Sequence, residues 1–155
     1  MILNNLLFRK LVESTLKEID LYSKNAEELL MGTAAQEGHM GEYRIQLGGG
    51  PALGIMQIEP TTHDDCWTNF LNYKHELKSR ILTVSGLKEP SVEALQNNDI
   101  YSICIARVKY YRDREPIPDY KDLEGLAKYW KRVYNSEKGK GKPEEFIKNY
   151  KKYVV

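Results

Sequence analysis

Apolar residues recur along most of this chain at the three-to-four-residue spacing of helices that bury one face. Leu6, Leu7, Leu11, Leu16 and Ile19 predict an amphipathic helix over about 4–22. A second is expected from near Asn25, through Ala26, Leu29, Leu30 and Thr33, to about Glu37, with Gly38 announcing its end. Thr61 or Thr62 is expected to cap a helix carrying Trp67, Phe70 and Leu71, with Asp64 and Asp65 suiting its first turn. Residues 75–87 form another, closed near Gly86, and Ser91 caps the segment 92–95. Asp99 then opens a long apolar run through Ile100, Ile103, Cys104, Val108 and Tyr111, which Pro116 and Pro118 break. Residues 122–135 place Leu123, Leu126, Ala127 and Trp130 on one side, and Pro143 fits the first turn of a last helix that turns Phe146, Ile147, Tyr150 and Tyr153 inward. The β-branched run 81–84 is too short for a strand and sits among helix formers. With no repeat, low-complexity tract or linker, the pattern predicts one all-α domain over 1–155.

Composition narrows the field without naming a function. The chain has 155 residues, 41% of them hydrophobic and 29% charged, the balance of an ordinary globular domain. A net charge of +1 supplies no field to draw it onto nucleic acid. No stretch reaches the roughly 18 apolar residues a spanning helix needs, so no membrane insertion is expected. The amino-terminal Met-Ile-Leu-Asn-Asn-Leu-Leu run is short and interrupted, with no small-residue cleavage site after it. Synthesis in the cytoplasm, as a monomer, is therefore expected. Cys66 and Cys104 fall on apolar helical patterns and read as buried free thiols.

Metal and cofactor readings are weak. His63 and Cys66 lie three apart, but no matched pair joins them, His39 or His75 into a zinc set. Nothing around Cys66 and His63 resembles a nucleophile motif, and Gly48-Gly49-Gly50 is not followed by the Gly-Lys-Ser/Thr of a phosphate loop. The expectation is no metal and no cofactor.

Two features suggest chemistry instead. Glu37 closes a helix with an apolar face, directly before a long glycine-rich loop containing Gly41, Gly48, Gly49, Gly50 and Pro51. Long ordered loops tend to be functional, and a carboxylic acid in a partly apolar cleft can stay protonated near neutral pH. A glutamate at a helix end is most often a solvated charge, so position alone does not decide. Residues 50–62 then join the loop to a compact apolar stretch and a helix cap: Gly-Pro-Ala-Leu-Gly-Ile-Met-Gln-Ile-Glu-Pro-Thr-Thr. Gly54 would let backbone approach a ligand, and Gln57 offers both a donor and an acceptor suited to an N-acetyl group. A turn that serves the core, with its glutamine satisfied internally, is the plainer alternative.

Glu37, then Gly54-Ile55-Met56-Gln57 with Pro60 and Thr62 after it, and finally Val133-Tyr134-Asn135-Ser136 with Gly139 and Gly141, resemble in order and spacing the three motifs of the lytic transglycosylase family of the lysozyme superfamily. That family has a catalytic glutamate closing a helix, then Gly-Leu-Met-Gln, then Ala-Tyr-Asn-Ala-Gly. The resemblance spans about two thirds of the chain, from Glu37 to Gly141. It implies a lysozyme-like fold with the glycine-rich loop lining the cleft. The implied activity is cleavage of the MurNAc-GlcNAc β-1,4 bond of peptidoglycan, as in a phage-type endolysin or wall-penetrating enzyme. Glu37 would be general acid and then base. Gln57, Tyr134 and Asn135 would line the substrate, with Gly54, Ile55, Met56 and the loop's Tyr43 beside them. The lysine-rich flank 138–152, with Glu144 and Glu145, would be a solvated face or a weakly cationic aid to settling on an anionic wall.

The departures keep two alternatives open. Gly38 stands where the family has serine after the acid, and Glu59 where it commonly has an apolar residue. If Glu59, Asp64 or the loop's Glu42 faced the cleft, a water could be activated and the enzyme would be a hydrolysing muramidase with two carboxylates. A non-catalytic wall-binding or virion domain would keep the fold without the reaction.

Overall fold

The computed structural model describes residues 4–46, 49–136 and 139–154. Met1–Leu3 of the amino-terminal run, Gly48 of the loop and Lys138 of the basic flank lie outside the described residues. Eight α-helices form the described part: α1 (Asn5–Glu18), α2 (Lys24–Gly38), α3 (Pro60–Asn69), α4 (His75–Ser85), α5 (Ala94–Asn97), α6 (Asp99–Tyr111), α7 (Leu123–Tyr129) and α8 (Pro143–Tyr153). A 3₁₀ turn at Leu71–Tyr73 links α3 to α4, and a π-helical turn at Trp130–Asn135 continues α7. Among the described residues, strand pairing is confined to isolated bridges, Leu53 facing both Ile45 and Ile58. The fold is all-α, and none of these helices is long and apolar enough to cross a membrane.

α6 is the hub. Every residue from Tyr101 to Val108 is buried, as is Tyr110, because α1, α2, α3, α4, α5 and the π turn all pack around it. α2 is just as enclosed, with α1, α6 and α8 against it. Gly32 provides the notch for α8: a β-carbon there would stand 2.3 Å from the Phe146 ring. The buried apolar side chains form one cluster running from Phe8 to Val154, and Cys66 and Cys104 are buried free thiols within it.

Side-chain caps fix half of the helix starts. Asn4, Ser23, Asn98 and Asp122 each accept a backbone N–H of the following first turn, at Leu7, Ala26, Tyr101 and Gly125. α4 ends on left-handed Gly86. Several boundaries differ from the sequence reading: α1 stops at Glu18, and α3 stops at Asn69, before Phe70 and Leu71. α3 begins one residue before the threonines, at Pro60, whose ring supplies helical φ and whose missing N–H costs nothing at that position. The helix expected over 122–135 loosens after Tyr129 into i→i+5 bonding, with the Ser136 N–H reaching Lys131 O at 2.8 Å.

Candidate active site

Glu37 lies in the last turn of α2. His39 closes that helix in the left-handed region (φ 48°), and Met40 (φ 56°) and Gly41 (φ 94°) continue it. Three consecutive left-handed residues turn the chain sharply away and leave Glu37 at a cleft of about 690 Å³. The opposite wall comes from the segment between α2 and α3, through Gln46, Ala52, Gln57, Ile58 and Glu59. Lys109 of α6 and Tyr134, Asn135 and Ser136 of the π-turn region complete it, with Gly139, Lys140 and Gly141 beyond.

The Glu37 carboxyl is half-buried and accepts one hydrogen bond, from Trp130 Nε1 at 2.9 Å. Burial raises its pKa from 4.5 to about 7, against the smaller opposing effects of the indole N–H and the Lys109 charge. It forms no ion pair among the described residues. A carboxyl that titrates near neutrality, faces a cleft and is held by a neutral donor can both give and take a proton there.

The other sequence-derived candidates separate into two groups. Gln57 (φ 47°) is one: its amide nitrogen donates to Tyr43 O at 3.0 Å and Gly54 O at 2.9 Å, so both donors brace the loop. Its carbonyl oxygen is what remains for the cleft. Tyr134 lines the cleft, but its hydroxyl donates to Met56 O at 2.6 Å, tying the π turn to the segment carrying Gln57. Asn135 lines the cleft while accepting from Lys131 Nζ at 2.7 Å. Glu59 also lines it, exposed, at the N-cap of α3 without a side-chain capping bond.

The remaining candidates, four expected substrate contacts and the possible second carboxylate Asp64, are not among the residues that line the cleft. Ile55 and Met56 are fully buried in the core. Gly54 (φ 80°) meets backbone, not ligand: a β-carbon there would stand 1.8 Å from Leu95 O. Tyr43 packs its ring on His39, 4.9 Å between centroids. Asp64 is 68% exposed and pairs with His63 Nδ1 at 3.0 Å, away from the cleft. Gly38 has its own explanation, because a β-carbon would approach Ile55 O to 2.9 Å, so a serine there would push α2 off the loop.

Three site residues escaped the sequence reading. Trp130 read as core, although it stands four positions before Tyr134 and so on the same helical face. Lys109 stands between buried Val108 and Tyr110 on α6, and an ammonium among such neighbours was the available signal. Gln46, whose Oε1 accepts from Ala52 N at 3.1 Å, sits in a loop without periodicity. His63, Trp67 and Tyr101 converge instead on a core network: Tyr101 accepts from Trp67 Nε1 at 2.8 Å and bonds His63 Nε2 at 2.6 Å. Among the described residues no group of three His, Cys, Asp or Glu side chains is placed to hold a metal.

Comparison of the chain with protein-family models, with characterised proteins and with solved structures finds no match.

Proposed function

We propose that this protein is a peptidoglycan-cleaving glycosidase of lysozyme-like fold, working as a lytic transglycosylase on the MurNAc-GlcNAc bond with Glu37 as its acid and base. The observation that carries this reading is the Glu37 carboxyl itself, half-buried in a 690 Å³ cleft, bonded to Trp130 Nε1 and shifted to about 7. The order of the three motifs in the sequence adds to it, since the helix end, the Gln57 segment and the Tyr134 turn border one cleft. Phage-type lysis or wall penetration is the setting that goes with the resemblance.

In this mechanism protonated Glu37 gives its proton to the bridging oxygen as the glycosidic C–O bond breaks. The sugar's N-acetyl oxygen stabilises the oxocarbenium-like transition state, so one carboxylate suffices. Glu37, now a carboxylate, takes the proton of the C6 hydroxyl as that oxygen bonds to C1. The acid is regenerated and an anhydro ring is left, without consumption of water. Glu59, which lines the same cleft, favours a second reading, a hydrolysing muramidase in which it activates water. Mass spectrometry of muropeptides released from purified peptidoglycan separates the two. Anhydro ends, one water lighter than reducing ends, are expected, and they should be absent with Glu37→Gln. Reducing ends would transfer the assignment to a hydrolase, and a wall that is bound but never cut would leave a binding domain.

A further inference from the structure

Lys109 stands out once the cleft is assembled. It projects from α6, the helix around which most others pack, yet its side chain lines the cleft and also an adjoining cavity of about 320 Å³. Its ammonium is fixed twice by one residue: it donates to Tyr134 O at 2.7 Å and lies 4.4 Å from the centre of the Tyr134 ring. That ring is itself immobilised by its bond to Met56 O and by stacking on Tyr110, 5.2 Å between centroids. The ammonium is therefore held in the wall of the cleft that Glu37 also lines, without closing onto the carboxyl as an ion pair.

Such a placement matters to a site with one working carboxyl. A contact ion pair would keep Glu37 ionised and useless as an acid, whereas no cation would leave the carboxylate that forms after proton transfer stranded in a half-buried position. We propose that Lys109 is a positioning residue whose fixed charge stabilises the carboxylate state of Glu37 at a distance, an inference that rests on the assignment of Glu37 as the acid. The other titratable groups facing Glu37 or its cleft are few. Tyr110 and Tyr134 are buried and stay protonated, because burial pushes both well above 10. Glu59, Lys140 and, beyond the helix end, His39 are in contact with water, which screens them. Burial pulls the Lys109 ammonium below 10.5, while Glu37, then Cys66 on α3 and Glu59, hold it up.

The test is to titrate Glu37 directly by carbon NMR of its side-chain carboxyl, assigned by the signal lost in Glu37→Gln, in the wild type, Lys109→Met and Lys109→Arg. Lys109→Met should move the Glu37 midpoint up by about half a pH unit or more, and Lys109→Arg should restore it. The alkaline limb of kcat/KM for muropeptide release should move with it, KM changing little. An unmoved Glu37 midpoint in folded Lys109→Met overturns the inference, and so does a shift that arginine fails to reverse. If the midpoint moves as described but wild type cuts no glycan, the electrostatic role stands and the glycosidase reading is what fails.

Discussion

α2 carries buried or half-buried glutamates at both ends, and they are treated in opposite ways. At its beginning, Glu27 and Glu28 are 2% and 4% exposed. Arg9 Nη1 reaches Glu27 at 2.6 Å and also bonds Glu28, while Lys24 pairs with both carboxylates, Tyr22 donates to Glu27 at 2.9 Å and Tyr150 to Glu28 at 2.6 Å. At its end, Glu37 has a single neutral donor. Burial pushes all three carboxyls up. Hydrogen bonds from Lys24, Arg9 and the tyrosines more than reverse it for Glu27 and Glu28, which end below 4.5, whereas Glu37 stays near 7. The helix dipole acts in the same direction, favouring anions at the first turn and disfavouring them at the last. Burial alone therefore does not make an acid; burial without cationic contacts does. α8 serves both ends, through Tyr150 to Glu28 and through Asn149 to Gln36, the residue beside Glu37.

The largest expected effect is at the carboxyl end. Glu37→Gln keeps the shape and the Trp130 contact but removes the proton that the proposed mechanism transfers, and on that mechanism muropeptide release should fall by about 10²–10⁴-fold. A glutamine variant cutting within tenfold of wild type would sink the assignment. At the other end the effect is on folding instead. Arg9→Met strips Glu27 and Glu28 of their shared guanidinium and should cost about 3 kcal/mol in urea unfolding, with the pH profile of the surviving activity unchanged. Loss of activity without loss of stability would mean that the two ends are not separate in function. Because Glu27 and Glu28 have folded pKa values below 4.5, their stabilisation is present above that pH and is lost as pH falls through the folded values. A Glu27→Gln, Glu28→Gln variant should thus show a flatter acid limb in thermal unfolding.

The contrast was only half visible in the sequence. Helical periodicity located nearly every element, since burial on one face is a local pattern, and Glu37 stood out because a helix end, a glycine loop and a motif coincide there. Glu27 and Glu28 drew no attention in the sequence, because two of their partners, Arg9 and Tyr150, lie on α1 and α8, far along the chain. The same distance concealed the indole of Trp130 beside Glu37, and the widening of the helix at Trp130–Asn135 leaves no mark in spacing. Gly54, Ile55 and Met56 show a related limit of the motif, since the structure packs them inside the core. A motif records that residues are required, but not whether they touch a ligand or a neighbouring backbone, and here Leu95 O occupies the space beside Gly54.

A smaller effect tests the cost of keeping Glu37 acidic. Its folded pKa is raised, so the fold is favoured most below about 4.5, and that advantage is lost as pH rises through about 7. Between pH 5 and 8.5 wild-type stability should decline by up to about 3 kcal/mol. Glu37→Gln, which cannot ionise, should stay level and become the more stable protein at pH 8.5. Parallel curves for the two would show that Glu37 titrates as it does when unfolded, and the difference between the ends of α2 would vanish.

The smallest effect isolates the one hydrogen bond at that end. Trp130 Nε1 favours the carboxylate of Glu37, so Trp130→Phe should raise its midpoint and carry the alkaline limb of activity upward by about half to one pH unit. Trp130 is fully buried against Phe146, 5.5 Å between centroids, so the smaller ring also leaves a void and lowers stability. The midpoint of the pH profile, which a void does not move, is therefore the quantity to read rather than the rate. A shift downward would mean that the indole holds the protonated acid instead, and that the carboxylate finds its stabilisation in Lys109 alone.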